Sequence, residues 1–359
     1  MKKALFALAA AGTCAISGVA SAQSTTNVTL YGIVDAGIEF ANHTGTATAN
    51  GSKVAVNSGN MSGSRWGLRG TEDLGGGLKA IFTLESGFDV DTGLSGQGSR
   101  LFGRQAFVGV QGNFGAVTLG RQQNSLYDLF GAYDPMGVGP KYSLNAVDSA
   151  FNGRADNAVK YTGKFGGLTA TAFYSTGRDA TNAAASEVPG NYKLGRNFGA
   201  GLAYTQGAFS VGTAYDQYQS NVPAVDDHAV KRLAFGGSYD FGVAKVFAGY
   251  RWMRDDGTAT ATSAASRNNV YWLGGLYRVT PALSLTGAAY YTDTHNSGND
   301  PWMFVLSADY AFSKRTDAYL NIGYVKNKGT STLALTSTNP IYPAGANQTG
   351  AVVGIRHRF

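Results

Sequence analysis

The end of the chain alternates between apolar residues and residues that are small or charged. Val353, Ile355 and Phe359 share one face, and the opposite face carries glycines and arginines. A period of two residues indicates a β-strand, because successive side chains point to opposite faces. An apolar face that ends in an aromatic residue, opposite a polar face, is typical of a strand whose outer side meets lipid.

The same alternation recurs along the whole chain in segments of about ten residues, the length of a transmembrane strand. Apolar faces bounded by an aromatic residue are clear in 244–252, 304–312 and 318–324. We therefore predict an all-β fold, a 16-stranded antiparallel transmembrane β-barrel, with the even strand number of bacterial barrels. The predicted strands are 28–40, 63–72, 78–90, 101–113, 115–122, 157–165, 168–178, 196–206, 208–218, 228–241, 243–255, 268–279, 283–294, 302–313, 315–327 and 348–359.

Charged residues indicate which face of a strand points to lipid. An arginine on the lipid face near the middle of the bilayer would cost about 2–4 kcal/mol. In the segment 243–255, Lys245 and Arg251 are therefore predicted to face the lumen. Val246 and Tyr250 are predicted to face lipid.

The predicted connections are short and long in turn. The long ones at 41–62, 179–195, 256–267 and 328–347 are rich in Ala, Thr, Ser, Asn and Gly, as exposed loops are. One connection, 123–156, is more aromatic and more charged than these. A loop of that length without strands is usually functional or disordered, and its composition argues against disorder.

The first residues have the features of a secretory signal. Two lysines precede a short apolar run, and small residues up to Ala22 form a cleavage site before Gln23. We predict a signal peptide at 1–22 and a barrel at 23–359. The only cysteine, Cys14, falls within the signal, so the mature barrel is expected to have no disulfide.

Composition agrees with a barrel. The 359 residues include 50 Gly, 20 Tyr and 19 Phe but only 8 Pro, and 14% are charged. Beyond the signal, no apolar run reaches the roughly 18 residues that a transmembrane helix needs. A membrane protein of this hydropathy is expected to cross with strands, because half of each strand faces water. The net charge of +6 is spread along the chain, which argues against a nucleic-acid partner.

Five stretches of sequence carry a resemblance to a known family. They are VTLYGIVD at 28–35, GSRWGLRGTEDLG at 63–75, TLGRQ at 118–122, RADNAVKY at 154–161 and VGIRHRF at 353–359. Together and in this order they resemble the general, non-specific trimeric porins of Gram-negative outer membranes, most closely the β-proteobacterial type. The stretches are spread over the predicted mature chain, and the departures from the family pattern are in loop lengths.

The resemblance implies a homotrimer in which each copy has its own pore. It implies that 123–156 folds into the lumen as the third loop and narrows the pore, and that arginines on the wall face acidic residues of that loop. Carried over by motif, the wall residues are Arg65, Arg121 and Arg154, with Arg104 as a further member and Lys160 beside them, and the loop acids are Asp134 and Asp148.

These charges predict a weak to moderate preference for anions. A wall charge about 7 Å from a passing anion contributes roughly 0.6 kcal/mol in a water-like dielectric, so three charges give about 1.8 kcal/mol before screening. The alternative for each arginine is an ion pair with a wall carboxylate such as Asp35 or Glu85. Such a pair would only solvate the charge of the arginine.

The predicted function is a water-filled outer-membrane channel for passive diffusion of small hydrophilic solutes and ions. A substrate-specific porin for sugars or organic anions is an alternative, with Tyr127, Tyr133, Tyr142 and Phe151 lining its path. A plugged barrel that acts as an adhesin is another, although no segment longer than the third loop is left to form a plug. Expected partners are outer-membrane lipid and lipopolysaccharide.

No enzymatic activity, cofactor or metal site is predicted. The four histidines of the chain lie outside any recognisable catalytic motif. The glycine run at 75–77 is not followed by the Gly-Lys-Ser/Thr of a phosphate-binding loop, so we interpret it as a turn. No cluster of cysteine and histidine offers a transition-metal site.

Overall fold

The computed structural model of this protein describes residues 27–179, 187–220, 228–257, 266–336 and 339–359. The predicted signal peptide lies outside the described residues. The described chain forms one antiparallel sheet of 17 strand segments that closes on itself. Within these residues, no helix is both long enough and apolar enough to cross a membrane.

The strand segments follow the order of the sequence. They are β1 (Asn27–Gly45), β2 (Asn50–Ser58), β3 (Arg65–Gly75), β4 (Leu78–Gly87), β5 (Gln105–Gly112), β6 (Gly115–Gln123), β7 (Arg154–Phe165), β8 (Leu168–Ser175), β9 (Asn197–Gln206), β10 (Phe209–Gln219), β11 (Ala229–Asp240), β12 (Ala244–Asp255), β13 (Ser266–Arg278), β14 (Leu283–Thr294), β15 (Trp302–Ala311), β16 (Thr316–Lys326) and β17 (Gln348–Arg358). Short helical segments lie in the connections: α1 (Gly96–Ser99), α2 (Ser125–Phe130), α3 (Leu144–Val147) and a 3-10 helix (Ser149–Asn152).

The first strand closes the barrel. Along one edge, residues 33–41 of β1 pair with β17. Along the other edge, residues 27–33 pair with β3 and residues 36–45 pair with β2. Because β2 and β3 share one position around the barrel, the 17 segments make 16 strand positions. The predicted 16-stranded antiparallel barrel is confirmed.

Segment β2 corrects the prediction that 41–62 is a loop throughout. Its alternation is short, since Val54 and Val56 are its only large apolar residues among glycine, serine and asparagine. Both valines leave more than half of their surface exposed, so burial in a core does not select this conformation. Pairing with the adjacent β1 as a hairpin supplies the backbone hydrogen bonds instead, and two valines are too short a pattern to reveal it.

A single carboxylate shapes the break between β2 and β3. Asp35 on β1 is fully buried and accepts hydrogen bonds from the backbone N–H groups of Met61, at 2.9 Å, and Ser62, at 2.7 Å. The hydroxyl of Tyr319 on β16 donates to the other oxygen of the same carboxylate. Asp35 therefore organises the wall, and it forms no salt bridge with an arginine in the part of the chain that the structure describes.

The outward face of the barrel is apolar, as the alternation predicts. Leu320, Ile322 and Val353 leave 43–57% of their surface exposed. On β12, Val246 is 43% exposed whereas Arg251 is 2% exposed. The predicted orientation of this strand, with arginine inward and valine toward lipid, is confirmed.

Aromatic rings form a band around part of the outward face. Tyr250 on β12 contacts Tyr271 on β13 with ring centroids 5.1 Å apart, and Tyr271 contacts Tyr291 on β14 at 6.3 Å. Tyr291 in turn stacks on Trp302 of β15 at 4.5 Å. Such bands lie where lipid meets water, so this one marks an interfacial level of the barrel.

Tight turns lie at one end of the barrel and longer connections at the other. The turns between β7 and β8 and between β9 and β10 place Gly166 and Gly207 at a φ of +58°, a conformation that residues with a Cβ rarely adopt. The longer connections follow β4, β6, β8, β10, β12, β14 and β16. They bring the ends of distant strands together at one mouth.

Candidate pore constriction

The connection between β6 and β7, residues 124–153, packs against the inward faces of several strands. Its Phe130 and Phe151 are completely buried although they lie outside the sheet. Both rings contact Trp272 on β13, with centroids 6.1 and 5.9 Å apart. Trp272 is 3% exposed, whereas its outward neighbour Leu273 is 65% exposed. The connection therefore lies against the inner side of the wall.

Polar contacts tie this connection to strands around the barrel. Asp128, near its start, lies 2.5 Å from the Nζ of Lys160 on β7. Tyr290 on β14 donates its hydroxyl to Asp134 at 2.6 Å. Glu39 on β1 accepts two hydrogen bonds from the part of the connection just before α3. Because β7, β14 and β1 are far apart around the sheet, the connection crosses the interior.

Asp134 anchors the connection to itself and to β14. Its side chain is 1% exposed and accepts hydrogen bonds from the Tyr290 hydroxyl and from the backbone N–H of Val138, at 2.7 Å. Burial raises the pKa of Asp134, and these hydrogen bonds oppose the increase. Val138 has a φ of +47°, a strained value for a β-branched residue, so the anchor holds an unusual backbone in place. Asp134 has no salt bridge to a wall arginine among the described residues.

Asp148 does pair with wall arginines, although not with the predicted ones. Its Oδ2 lies 2.9 Å from the Nε of Arg232 on β11 and 3.0 Å from the Nε of Arg251 on β12. It also accepts a hydrogen bond from the N–H of Ala150 at 3.1 Å. Burial by itself would raise the pKa of Asp148, but the two guanidinium groups outweigh burial and hold that pKa below its usual range.

Three of the predicted arginines come together at the long-loop end of the wall. Arg65 begins β3, Arg154 begins β7, and Arg104 immediately precedes β5. The Nε of Arg104 lies 2.7 Å from a carboxylate oxygen of Glu85, and the guanidinium carbon of Arg154 lies 5.6 Å from the centroid of the Tyr127 ring. Arg65, Arg104 and Tyr127 line a small cavity together with residues 137–140. We call Arg65, Arg104 and Arg154 the arginine cluster.

The arginine cluster contains donors that the described protein does not satisfy. Arg154 donates one N–H to the carbonyl of Asn152 at 3.1 Å, but its Nε and its other terminal nitrogen are buried and have no hydrogen-bond partner among the described residues. Arg65 donates its Nε to the carbonyl of Gly63 at 2.9 Å. Buried donors are normally satisfied by water or by a ligand. The cluster is therefore chemically suited to an anion.

Arg121 lies near Arg154 but is engaged by a carboxylate. Its terminal nitrogen lies 2.6 Å from Asp156, which also pairs with Arg100 at 3.0 Å. In the register of β5 and β6, Arg121 pairs with Ala106, which shares the outward side of β5 with Val108 two residues later. Because Arg121 and Arg100 share the carboxylate of Asp156, they link β6 to the connection after β4.

Lys160 also serves a different part of the site. Its Nζ pairs with Asp128 and donates to the carbonyl of Gln123 at 2.9 Å. Its side chain holds the beginning of the crossing connection to β7. In the described structure it makes no salt bridge with any other carboxylate.

Sequence reasoning did not identify Arg100, Arg232 and Glu39 as contributors. The alternation along β11 and β12 indicates that Arg232 and Arg251 face inward. It could not indicate that both reach Asp148. That contact depends on the path of the connection through the interior. Such a path produces no periodic pattern of apolar and polar residues in the sequence.

Comparisons with known proteins agree with this architecture. A sequence profile described as Gram-negative porin matches residues 4–330. The chain is 35% identical to an outer membrane porin protein of Bordetella pertussis and 36% identical to outer membrane porin protein 32 of Delftia acidovorans, with 100% of both chains covered in each case. It superposes on the anion-selective porin from Comamonas acidovorans with a TM-score of 0.78 at 31% identity, which covers 93% of this chain and 100% of that porin.

Proposed function

Because this chain belongs to the Gram-negative porin family, we propose that its pore carries small hydrophilic solutes and ions with a weak preference for anions. The protein is an outer-membrane channel for passive diffusion. The preference for anions is a proposal that goes beyond this channel function. It rests on the arginine cluster.

The observation that carries the proposal is the charge balance of that cluster. Three guanidinium groups surround one carboxylate, that of Glu85, and Arg154 keeps donors that no described residue accepts. Two uncompensated charges about 7 Å from a passing ion give about 1.2 kcal/mol in a water-like dielectric. That energy corresponds to roughly an eightfold preference before salt screening reduces it.

A relative of known structure supports the same sign of ion selectivity. The porin from Comamonas acidovorans, which this chain resembles over nearly its whole length, is described as anion-selective. We propose that this chain has the same preference.

We further propose that residues 124–153 form the constriction. Residues 137–140 line a small cavity together with Arg65 and Arg104, and this contact supports the proposal that a solute meets the narrow point here. Asp134, Asp148 and Lys160 fix the connection in place, and Arg121 stabilises the wall. Arg65, Arg104 and Arg154 are the residues that would act on a passing ion.

The alternative of a channel specific for sugars has weaker support. An aromatic slide needs rings that the solute can touch, but Tyr133, Tyr142 and Phe151 are each at most 1% exposed. Only Tyr127 of the predicted set keeps part of its ring accessible. General diffusion is therefore the function that the geometry favours.

The partners proposed for the channel follow from the family. Three copies would assemble as a homotrimer, with outer-membrane lipid and lipopolysaccharide around the apolar band. We propose no enzymatic role and no cofactor.

The direct test is reconstitution of the refolded mature chain in planar bilayers and in liposomes. We expect conductance that closes in three equal steps, and liposome swelling that is fast with small sugars and slow with large ones. A folded barrel that gives neither conductance nor swelling would contradict the channel function. Conductance without triple steps would contradict the trimer alone.

A further inference from the structure

A second cationic group lies on the wall away from the arginine cluster. The guanidinium carbon of Arg178, just beyond β8, lies 4.1 Å from the centroid of the Tyr218 ring on β10. The guanidinium carbon of Arg232 on β11 lies 5.7 Å from the same ring. Tyr218 stands opposite Val230 in the register of β10 and β11, and Val230 is 3% exposed. The group therefore shares the inward face, at the long-loop end of these strands.

Both arginines of this group have donors to spare. The guanidinium of Arg178 makes no hydrogen bond or ion pair with any residue that the structure describes; its contact is the stack on Tyr218. Arg232 is 8% exposed and gives its Nε to Asp148 at 2.9 Å, but one terminal nitrogen is buried without a partner among the described residues. Stacking occupies the face of a guanidinium and leaves its edge, where the N–H donors lie, available.

The backbone holds Arg178 in position. Its N–H donates to the carbonyl of Gly195 at 3.0 Å, and its carbonyl accepts from the N–H of Asp156 at 3.0 Å. Gly195 is tied in turn to Ser220, one residue beyond β10, at 3.1 Å. The neighbouring Asp179 pairs with Arg100. Because backbone and ring are both fixed, the donors of Arg178 are already arranged before any ligand arrives.

Two buried carboxylates lie near the arginines of this group. Arg178, Arg232 and Arg251 lie near two carboxylates, those of Asp148 and Asp216. Asp148 is shared between Arg232 and Arg251, and Asp216 stands opposite Arg232 in register. Asp148 accepts only the Nε of Arg232 from this group, so the spare donors of Arg178 and Arg232 are suited to an anion as their missing acceptor.

We propose that Arg178, Tyr218 and Arg232 form a binding station for an oxyanion, the carboxylate or phosphate group of a small solute. A guanidinium edge donates two parallel hydrogen bonds to two oxygens of such a group, whereas chloride offers a single acceptor atom. The station rests on the proposed function and deepens it by naming the class of solute. It would hold oxyanions at β8–β11, before they reach the arginine cluster on β3–β7.

The test is inhibition of the chloride current by added oxyanion. Wild-type channels in planar bilayers receive inorganic phosphate, and in a separate arm succinate, on each side in turn. The measured quantity is the concentration that halves the current. In Arg178→Gln and Tyr218→Leu this concentration should rise about tenfold, the factor that loss of one charge-assisted hydrogen bond corresponds to.

Two further variants make the test specific. Tyr218→Phe keeps the ring face and should restore the wild-type concentration. Arg196→Gln removes an arginine that stacks on Phe198 at 5.5 Å, in contact with the outward-facing Tyr174, and should leave the concentration unchanged. Inhibition by succinate alone would assign carboxylates, and inhibition by phosphate alone would assign phosphates.

Wild-type concentrations in both Arg178→Gln and Tyr218→Leu, in channels that conduct, would overturn the station. A rise of the same size in Arg196→Gln would also overturn it, because net charge alone would then explain the effect. A wild-type protein that folds but does not conduct would overturn the proposed function instead, so the two failures are distinguishable.

Discussion

Among single residues, Arg154 is the wall arginine that we expect to act most strongly on a passing ion. Two of its nitrogens are buried without a partner among the described residues, whereas Arg104 is paired with Glu85 at 2.7 Å. A paired charge adds little to the field in the pore. The contribution of each arginine therefore depends on its neighbours more than on its position in a motif.

We predict that Arg154→Gln lowers the ratio of chloride to potassium permeability by up to about threefold, which is the effect of one charge at about 7 Å in water. The double variant Arg104→Gln with Glu85→Gln is the matched control, because it removes a pair and leaves the net charge unchanged. Its ratio should stay at the wild-type value. Equal effects in the two variants would contradict this account.

Asp134 gives a second residue-level prediction. Asp134→Ala leaves the Tyr290 hydroxyl and the Val138 N–H without their acceptor, and each such loss costs about 1–3 kcal/mol. We expect faster proteolysis within 124–153 and more frequent closures, with Asp134→Asn in between because it retains an acceptor oxygen. A change of ion selectivity with unchanged proteolysis would instead indicate that Asp134 faces the pore.

Asp148 determines how the constriction should respond to acid. Because Arg232 and Arg251 lower its pKa, its anchoring contribution is fully present above the ordinary aspartate pKa of about 4 and is lost only as pH falls below that value. Current noise from loop motion should therefore be constant from pH 7 to about 4 and rise below it. In Asp148→Asn the noise should already be high at pH 7. Noise that rises between pH 6 and 5 in wild type would contradict the assignment.

Among elements, the strands were the most predictable part because each carries its own signal. Alternation separates the two faces of a strand, and an inward arginine such as Arg251 shows which face points to the lumen. Segment β2 was not predicted because two valines are too short a pattern, although it pairs with the adjacent β1. The crossing connection was recognised by composition, but its contacts were not. Asp134 and Asp148 look alike in sequence, yet one is an internal anchor and the other an ion-pair centre.

Glu39 on β1 joins the barrel wall to two connections. Its carboxylate accepts hydrogen bonds from Asn57 on β2, from Lys141 and Tyr142 of the crossing connection, and from Asn339 of the connection after β16. The lengths to Lys141, Tyr142 and Asn339 are 3.2, 2.8 and 3.1 Å. An outer connection and the proposed constriction are therefore held by one side chain.

We predict that Glu39→Gln makes the channel close at lower voltage. The change leaves Lys141 buried without its ionic partner, and breaking a buried pair in this way costs about 3–5 kcal/mol. Voltage ramps on single channels would measure the threshold. Glu72→Gln, which removes an exposed carboxylate on β3, is the control and should not shift it. An unchanged threshold in Glu39→Gln would show that this contact does not limit closure.

For the whole molecule, the closed barrel, the positions of its long connections and its family follow from features that the sequence displays repeatedly. The pore charge does not, because it depends on which arginines keep a carboxylate partner after folding. Arg65 and Arg104 line one small cavity, whereas Arg121 and Lys160 each pair with a carboxylate. The sign of the selectivity is thus the property that most depends on the structure.

The most direct measurement is the zero-current potential of the reconstituted channel across a gradient of potassium chloride. This account predicts a potential with the sign of a permeability ratio that favours chloride, reduced toward zero when Arg65, Arg104 and Arg154 are all changed to glutamine. A wild-type potential that favours potassium would contradict the central claim that the arginine cluster sets the selectivity of the pore.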